Sequence, residues 1–441
     1  MPFLLDACYV ALLLAVSPVI LFRALVHGKY RDGWGEKLLG RLPRPRSQGP
    51  RIWFHAVSVG EVLQLQAVVN ALRSRRRNIE VLVTTTTGTG LAVAREKFPN
   101  DVVSYFPLDF SWAVRNALRR VRPTAIVLVE LELWPNFIFA ARRQGVPLAL
   151  INGRISEKSF RGYSRVRPLM KRVLSCFGLL AVQNEIYGRR LLELGAPQAA
   201  VVVSGSIKFD GVNTNRANPK TAEIRKSFAI ANDEQIFIAG STQFPEEEFA
   251  LESWLELRGD FPNLRLILVP RHKERFNQVA AMVEDRGLAL IRRSNVRGVS
   301  NKDVRSARPA VHRADRHPPV LLLDTLGELA ACWGLADIAF VGGSLTPRGG
   351  QNMIEPAGYG AAVLFGPNTR NFRDVVDMLL AYNAACVVTD RADLTATLRR
   401  LLSEPETAQT HGKTAQRLVL SQQGATAKTI EHLGNMLPKA A

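Results

Sequence analysis

Cysteine and histidine are scarce in this sequence. Only four cysteines occur among 441 residues, no two of them form a Cys-x-x-Cys pair, and the seven histidines show no metal-ligand spacing. We therefore expect neither a disulfide framework nor a zinc site, and we expect no catalytic metal. Scattered cysteines in a chain of this length are typical of buried side chains in a reducing compartment.

Acidic and aromatic residues are also under-represented. The chain has 39 Asp and Glu against 58 Lys and Arg, which gives a formal charge of +19. Such a charge indicates an anionic partner: a nucleic acid, an anionic membrane surface or an acidic substrate. Because aromatic residues make up only 7% of the chain and no nucleic-acid-binding motif occurs, nucleic acid is the least favoured of the three.

Long apolar runs are absent except near the N-terminus. Residues 3–22 read FLLDACYVALLLAVSPVILF, which is just long enough to span a bilayer and contains one charge, Asp6, and one proline, Pro18. Residues 23–51 then carry eight Lys and Arg against two acidic residues. This order is the reverse of a signal peptide and predicts that the rest of the protein faces the cytoplasm. A full crossing, an insertion into one leaflet and a buried core helix all stay open.

Apolar runs of strand length alternate with helix-like segments after residue 50, in two sets of six. Their continuous hydrophobicity is typical of parallel strands buried on both faces. The sequence therefore predicts an α/β fold with two doubly wound, Rossmann-like domains. We assign residues 1–25 to a membrane anchor, 26–210 to the first domain, 211–220 to a polar linker and 221–441 to the second domain, whose last helix can cross back to the first. Residues 292–317 are predicted to form a basic surface loop.

Charged side chains follow the predicted strands of the first set. Glu61 follows HAVSVG, Glu130 and Glu132 lie in VELELWPN, and Lys208 and Asp210 lie in SGSIKFD. Open α/β sheets bind ligands at the carboxyl ends of their strands, and paired domains bind them in the cleft between. We therefore expect these side chains at the mouth of a cleft, with Glu130 and Glu132 on one face of their strand. A glutamate is also common in the first turn of a helix, so Glu61 alone does not indicate a functional site.

The second set repeats the theme with glycines and cations. Arg271 follows a strand in VPRH, Glu328 lies in DTLGEL, and VGGSLTPRGGQNMIEPAG places glycines, Asn352 and Glu355 before a helix. A glycine turn that runs into a helix exposes backbone N–H groups to an anion such as phosphate. Many glycine-rich turns are only tight turns, so this interpretation depends on the other motifs.

Eight motifs occur in one order along the chain: HAVSVGE, TTTTGTG, VELELWPN, NGRISEKSFRGY, SGSIKFD, VPRHKERF, DTLGEL and FVGGSLTPRGGQNMIEPA. Together they resemble the family of 3-deoxy-D-manno-octulosonic acid (Kdo) transferases, which glycosylate lipid A at the Gram-negative inner membrane. The resemblance runs from the N-terminal segment to about residue 425, nearly the whole chain.

The resemblance implies a GT-B glycosyltransferase with an acceptor site in the first Rossmann-like domain and a nucleotide-sugar site in the second. The donor would be CMP-Kdo, the acceptor a lipid A precursor, and neither a cofactor nor a metal ion is implied. By their motifs, Glu61 matches the family's general base, and Glu130 and Lys208 match the residues that stabilise the transition state. The family's CMP contacts fall on Pro270, Arg271, Leu326, Gly327, Glu328, Asn352, Met353, Ile354 and Glu355.

The residue types suit that chemistry. A single inverting displacement requires a base for the acceptor hydroxyl but no protein nucleophile. The donor's carboxylate and phosphate call for cations such as Lys208 and Arg271, and an anion such as Glu130 offsets the positive charge of an oxocarbenium-like transition state. Gln243 and Gln351 stand where the family usually has histidine. Glutamine donates a hydrogen bond but does not become cationic.

The leading hypothesis is a Kdo transferase of lipopolysaccharide core biosynthesis. It is held on inner-membrane lipids as a peripheral or single-pass protein, with its catalytic domains facing the cytoplasm and no nucleic-acid partner. Two other functions stay open. A GT-B glycosyltransferase that uses a UDP-sugar and another lipid acceptor would keep the fold. A basic, non-catalytic protein that binds membranes or nucleic acid would account for the charge.

Overall fold

Two β-sheets of seven strands, parallel throughout, are present in the computed structural model, which describes residues 2–27, 32–47, 49–76, 78–296 and 317–437. The chain divides into an N-terminal unit, residues 1–211 with 422–441, and a C-terminal unit, residues 212–421. The two doubly wound α/β sheets that the sequence predicts are thereby confirmed, although each has one strand more than expected.

The sheet of the N-terminal unit has the order β3-β2-β1-β4-β5-β6-β7. Its strands are β1 (Arg51–His55), β2 (Glu80–Thr85), β3 (Val102–Tyr105), β4 (Ala125–Val129), β5 (Leu148–Gly153), β6 (Leu179–Val182) and β7 (Val201–Val203). The helices are α1 (Pro2–His27), α2 (Trp34–Leu39), α3 (Val59–Arg75), α4 (Gly88–Lys97), α5 (Ser111–Val121), α6 (Pro135–Arg143), α7 (Glu157–Ser164), α8 (Arg167–Leu174) and α9 (Glu185–Glu193). Every residue of β1 and β4 is buried, as continuous apolar runs predict.

The sheet of the C-terminal unit has the order β10-β11-β9-β8-β12-β13-β14. Its strands are β8 (Gln235–Thr242), β9 (Leu264–Pro270), β10 (Leu290–Arg292), β11 (Val320–Leu322), β12 (Ile338–Val341), β13 (Ala362–Phe365) and β14 (Ala385–Val387). The helices are α10 (Pro219–Ser227), α11 (Glu246–Leu257), α12 (Phe276–Glu284), α13 (Arg293–Val296), α14 (Leu329–Cys332), α15 (Ile354–Gly358), α16 (Arg373–Ala381), α17 (Arg391–Ser403) and α18 (Pro405–Gln422). Helix α10 begins inside the stretch 211–220 that the sequence predicts as a linker. Residues 297–316, most of the predicted basic loop, lie outside the described residues.

The last helix, α19 (Ala425–Met436), packs in the N-terminal unit. Its Ile430 and Leu433 share an apolar cluster with Leu65 and Val69 of α3. Asp210 accepts the backbone N–H of Gly424 at 2.7 Å, just before the helix begins. The C-terminus of the chain thus supports the helix that follows β1.

Helix α1 attaches to the N-terminal unit through Asp6, the one charge within residues 3–22. The Asp6 carboxylate is buried and accepts the backbone N–H of Ser111 at 2.8 Å and its hydroxyl at 2.6 Å. The Asn136 side chain donates to it at 3.1 Å. Tyr9, one turn further on, donates its hydroxyl to Asp109 at 3.1 Å. Asp6 therefore attaches α1 to the N-terminal unit through hydrogen bonds with Ser111 and Asn136.

Other side chains of α1 are exposed, among them Leu12 at 62%, Leu14 at 66% and Phe22 at 60%. The buried-core alternative for residues 3–22 is therefore wrong. No helix in the part of the chain that the structure describes is both long enough and apolar enough to cross a membrane.

Candidate active site

Glu61 stands in the first turn of α3, immediately after β1. Its carboxylate accepts the backbone N–H of Val57 at 2.8 Å and that of Ser58 at 3.3 Å, while the Ser58 side chain accepts the N–H of Glu61 at 3.2 Å. This reciprocal arrangement is a capping box, which satisfies N–H groups that have no partner within the helix. Glu61 is 8% exposed, so the cap holds a partly desolvated carboxylate at the carboxyl end of β1.

Glu130 follows the end of β4, and its backbone turns there. The strand ends at Val129, and Glu130 has a φ of 60°, in the left-handed region that side chains other than glycine rarely adopt. The prediction that Glu130 and Glu132 share one face of a strand is therefore wrong, because neither residue belongs to the strand. Non-glycine residues with a strained backbone cluster at functional sites, which makes this turn a candidate on geometry alone.

Glu132, in the same turn, is the carboxylate with the most altered proton affinity near β1 and β4. Its side chain is 22% exposed, and its Oε2 accepts the indole N–H of Trp134 at 2.9 Å. Burial, and then the like charges of Glu61 and Glu130, raise its pKa to about 7. The charges of Glu61 and Glu130 therefore lie close enough to Glu132 to influence it, as expected for side chains at the ends of neighbouring strands.

His55, the last residue of β1, lies fully buried beside Glu132. Its Nε2 is 3.8 Å from Oε2 of Glu132, and its ring stacks on Phe106 with 3.7 Å between ring centroids. Burial lowers the pKa of His55 to about 3, so the imidazole is neutral at physiological pH. His55 therefore offers Glu132 no positive charge.

Asn152 connects two of the segments that carry predicted catalytic residues. It lies at the end of β5 with a φ of 54°, and it is fully buried. Its Nδ2 donates to Oε1 of Gln64 on α3 at 2.9 Å, and its Oδ1 accepts the N–H of Ile207 at 3.2 Å. Gln64 is one turn beyond Glu61, and Ile207 precedes Lys208.

Lys208 lies in a short 3₁₀ turn, Ile207–Phe209, after the last strand of the N-terminal sheet. Its side chain is half-buried, and no carboxylate of the described residues forms an ion pair with it. A half-buried cation without a protein counter-ion is suited to bind an anionic ligand. Its neighbour Asp210 is instead occupied by the backbone of Gly424.

Three residues predicted to contact the nucleotide are Arg271, which follows β9, Asn352, which precedes α15, and Glu355, in the first turn of α15. Arg271 is exposed, follows the buried Pro270, and forms no ion pair with the described residues. Asn352 donates to Oε1 of Glu355 at 3.0 Å and accepts the N–H of Ile354 at 3.1 Å. Burial raises the pKa of Glu355, and the hydrogen bond from Asn352 and the charge of Arg271 offset part of that effect.

The other predicted nucleotide contacts differ in accessibility. Met353 and Ile354 have buried side chains, so a ligand could reach only their backbone. Leu326 is 70% exposed and is followed by Gly327 with a φ of 81°, which allows a sharp turn. Glu328 is bound from within the protein, because Arg293, a fully buried cation on α13, donates to its carboxylate at 2.8 Å.

Glu246, which sequence reasoning did not single out, organises the glycine turn after β12. Its fully buried carboxylate accepts four backbone N–H groups at 2.7 to 3.0 Å: those of Gln243, Gly343, Ser344 and Leu345. The prediction that this glycine turn offers its N–H groups to a phosphate is therefore wrong for residues 343–345. The run of three glutamates at the start of α11 signals acidic residues at a helix N-terminus, but not this contact.

The described residues contain no cluster of three or more side chains that could hold a metal ion. Residues 292–296, the start of the predicted basic surface loop, are not a surface loop: Arg292 ends β10, and the fully buried Arg293 begins α13. The role of Arg293 was missed because nothing in the basic stretch distinguishes a buried cation from exposed ones. What the described residues do offer is a carboxylate cluster with an unpaired lysine in one unit, and an exposed arginine beside an Asn–Glu pair in the other.

Comparison with known proteins extends these observations. A family model described as 3-deoxy-D-manno-octulosonic-acid transferase (kdotransferase) matches residues 32–211. A Kdo transferase of Haemophilus influenzae is 32% identical over 433 residues, which cover 96% of this chain and 97% of that protein. One from Bordetella pertussis is 34% identical over 408 residues, covering 90% and 89%. The crystal structure of a glycosyltransferase from Rickettsia africae matches with a TM-score of 0.53 and 11% identity, covering 89% of this chain and all of that one, which is a likeness of fold.

Proposed function

Because the chain belongs to the Kdo transferase family, we propose that it transfers Kdo from CMP-Kdo to a lipid A precursor. Kdo transfer in lipopolysaccharide biosynthesis is the activity of that family, and the protein is a glycosyltransferase with two GT-B type sheets. The observation that carries the finer proposal is the cluster of Glu61, Glu130 and Glu132 after β1 and β4, in the same unit as the unpaired Lys208.

In the proposed reaction, the N-terminal unit binds the acceptor and Glu61 acts as the general base. Glu61 removes the proton from the acceptor hydroxyl, the oxygen attacks the anomeric carbon of Kdo, and CMP leaves with the bonding electron pair. The displacement inverts the anomeric centre and involves no covalent enzyme intermediate. The capping box supports this role because it fixes the carboxylate of Glu61 on a helix rather than on a loop.

Lys208 and Glu130 supply opposite charges in this proposal. Lys208, which has no carboxylate partner among the described residues, would bind the negative charge of the donor. Glu130 would face the positive charge that grows on the sugar ring as the bond to phosphate breaks. Its left-handed backbone conformation is held between β4 and β5, where its N–H donates to the carbonyl of Ile151 at 2.9 Å.

The C-terminal unit would bind the CMP part of the donor. Arg271 is exposed and lacks an ion-pair partner among the described residues, so its guanidinium is available to a phosphate. Asn352 and Glu355 would bind the ribose or the base through their amide and carboxylate groups, and the turn at Leu326 and Gly327 would bring backbone groups to the nucleotide.

A mass-spectrometric assay with CMP-Kdo and a lipid A precursor tests the proposal. Wild-type protein should add Kdo, and Glu61→Gln should lower the rate by about 100- to 10,000-fold, the usual effect of losing a general base. Glu185→Gln, which removes an exposed glutamate of the same unit, is the matched control and should keep the wild-type rate. Titration with CMP and UDP separates the two donor classes, and a clear preference for UDP would contradict the CMP-Kdo proposal.

We also propose that α1 holds the protein on the cytoplasmic face of the inner membrane. Its exposed apolar side chains support this, because a surface of that kind is costly in water. Exposed basic residues of segment 23–51, such as Arg41 and Arg44, would add about 1 kcal/mol each near anionic lipid. Flotation with anionic vesicles should recover the protein with the lipid. A double change of Leu12 and Leu14 to Gln should release it while leaving the Asp6 attachment intact, and unchanged flotation of that variant would contradict the proposal.

A further inference from the structure

Glu132 has an available carboxylate oxygen. Its Oε2 accepts the Trp134 indole N–H at 2.9 Å, whereas within the described ranges no protein group hydrogen-bonds to its Oε1. Glu61 differs, because each of its two oxygens already accepts a backbone N–H, at 2.8 and 3.3 Å. A proton or a water molecule can therefore bind at Oε1 of Glu132 without displacing a hydrogen bond of the protein.

The tautomer of His55 follows from its contacts. Nδ1 lies 3.1 Å from the carbonyl oxygen of Thr84, which can only accept a hydrogen bond, so Nδ1 carries the ring proton. Nε2 is then an unprotonated acceptor. It is buried without a hydrogen-bond partner among the described residues, and it faces Oε2 of Glu132 at 3.8 Å. Among the described residues, the polar contacts of Glu132 are thus one indole donor and one unprotonated ring nitrogen, and no cation forms an ion pair with it.

The titratable groups that face Glu132 come from four segments. Glu61 reaches it from α3, Glu130 from its own turn, and His55 from β1. Tyr163, on α7, is near enough that the charge of Glu132 contributes to raising the pKa of its phenol. Because burial and two like charges raise the pKa of Glu132 to about 7, this carboxyl exchanges its proton in the range where acid–base catalysis works best.

On the basis of the proposed function, we propose that Glu132 is a proton-relay residue, which takes from Glu61 the proton of the acceptor hydroxyl and releases it to water through Oε1. The geometry that carries this proposal is the free Oε1 of Glu132, the 22% exposure of its side chain against 8% for Glu61, and the absence of a counter-ion among its described neighbours. Its Oε2 lies 3.8 Å from His55, and Glu61 accepts the backbone N–H of Val57, two residues after His55.

The proton balance of the relay is simple. The O–H bond of the acceptor breaks as the new bond to the anomeric carbon forms, and the proton moves to Glu61 while CMP leaves with the electron pair of its bond to Kdo. Ionised Glu132 then accepts the proton from Glu61 and passes it to water, which restores both carboxylates. Ionised Glu132 also makes Glu61 a stronger base, because like charges favour protonation of one member of a pair. The reaction releases one proton to water for each sugar transferred.

The test is the pH dependence of kcat for Kdo transfer across roughly pH 5 to 9. In the wild type, kcat should rise with pH through a midpoint near 7, because protonated Glu132 can neither accept a proton nor strengthen Glu61. Glu132→Gln should lower kcat by about 10- to 100-fold and abolish that midpoint, with little change in the KM for the acceptor. Glu185→Gln serves again as the control, with wild-type kcat and midpoint.

Trp134→Phe provides a second readout that does not remove the carboxylate. Loss of the indole N–H takes one hydrogen bond from the ionised form of Glu132, so the midpoint should move upward by roughly 0.5 to 1 pH unit. If Glu132→Gln does not fold, as judged by circular dichroism, the Trp134→Phe shift alone decides. An unmoved midpoint would then overturn the relay.

A folded Glu132→Gln that keeps either the wild-type kcat or the wild-type midpoint would also overturn it. Failure of the proposed function looks different: Glu61→Gln would then transfer Kdo at the wild-type rate, or the wild type would not use CMP-Kdo at all. An inactive Glu61→Gln beside an unaffected Glu132→Gln rejects the relay alone.

Discussion

Carboxylates follow the strands of both units, but their surroundings differ. In the C-terminal unit, Glu246 accepts four backbone N–H groups and Glu328 pairs with the fully buried Arg293. Burial acts to raise the pKa of Asp324, but hydrogen bonds from the hydroxyl and backbone N–H of Ser294, and then from Arg292 at 2.7 Å, hold it below the ordinary value. In the N-terminal unit, Glu132 accepts one hydrogen bond, from Trp134, and the charged groups that influence it are other glutamates.

This difference distinguishes carboxylates that stabilise the fold from carboxylates that are suited to acid–base chemistry. A buried carboxylate with all its hydrogen bonds satisfied stabilises the backbone around it, and breaking it is costly. A carboxylate that burial and like charges leave under-satisfied is poised to exchange a proton. Residue type and position at a strand end are the same in both units, so the partners of each carboxylate add information that its place in the fold lacks. Glu61 has features of both groups, because two backbone N–H groups fix its carboxylate while its charge helps raise the pKa of Glu132. Four substitutions test this contrast.

The largest effect is expected from Glu246→Ala. The change leaves four backbone N–H groups of the turn around Gln243 and residues 343–345 without their acceptor, at about 1 kcal/mol each. We expect the free energy of unfolding to fall by about 4 kcal/mol, together with weaker binding of CMP. Chemical denaturation and CMP titration measure the two quantities. Glu248→Ala, which removes a partly exposed partner of Arg286, should cost less than about 1 kcal/mol. Equal losses in the two variants would contradict the scaffold role of Glu246.

Arg293→Met should follow, with a loss of about 3 kcal/mol in the free energy of unfolding. The change keeps an unbranched side chain but leaves Glu328 without the cation that binds it at 2.8 Å, and breaking a buried ion pair is costly. Because Glu328 adjoins Leu326 and Gly327, the affinity for CMP should fall as well. Arg286→Met breaks a partly exposed pair between Arg286, two residues beyond α12, and Glu248 of α11, and is the matched control. A stable Arg293→Met with unchanged CMP binding would show that Glu328 needs no internal partner.

Most of the fold followed from the sequence, because parallel strands buried on both faces leave long apolar runs. The two strands that were missed, β3 and β10, lie at the edges of their sheets and have four and three residues. Edge strands pair on one side only, so their sequences need fewer apolar residues. Val102–Tyr105 includes a serine and Leu290–Arg292 ends on an arginine, and neither forms a recognisable apolar run.

The residues of the candidate site were found through motifs, but their partners were not. The sequence placed Glu61 and Glu130 after strands, and Ser58 and Glu61 have the Ser-x-x-Glu spacing that is typical of a capping box. Nothing in the sequence revealed that Glu130 adopts a left-handed backbone. The four N–H groups around Glu246 come mostly from residues about a hundred positions away. Such long-range contacts leave no local pattern, which is why the hydrogen-bond partners of individual carboxylates emerge only from the structure.

Asn152→Ala extends the comparison to a residue without charge. The variant loses the link to Gln64 on α3 and the link to Ile207 beside Lys208, so kcat should fall by about 10- to 100-fold while KM changes little. Asn152→Asp keeps the acceptor for the Ile207 N–H and should retain more activity than the alanine variant. Asn184→Ala is the control: it removes the N-cap of α9 at a cost of about 1 kcal/mol in stability, and kcat should not change. If both alanine variants lose activity in proportion to stability, Asn152 is only structural.

The smallest effect is expected from Glu132→Gln, in the way its free energy of unfolding depends on pH. The pKa of Glu132 is about 7 in the folded protein, above its ordinary value of 4.5, so the wild type has a contribution to stability that is full below pH 4.5 and lost as the pH rises through 7. Glutamine does not ionise, so the variant should become more stable than the wild type by about 1 kcal/mol at high pH, after allowance for solvent screening.

Urea denaturation of both proteins on either side of neutrality measures this difference. Asp109, whose pKa burial raises to about 6, titrates in both proteins, and no hydrogen bond or ion pair in the described part of the chain joins it to Glu132, so its contribution cancels when the two are compared. Glu185→Gln should follow the wild type at every pH. If the free energy of unfolding of Glu132→Gln depends on pH as that of the wild type does, the folded protein stabilises ionised Glu132 fully. Glu132 would then be a scaffold carboxylate like Glu246.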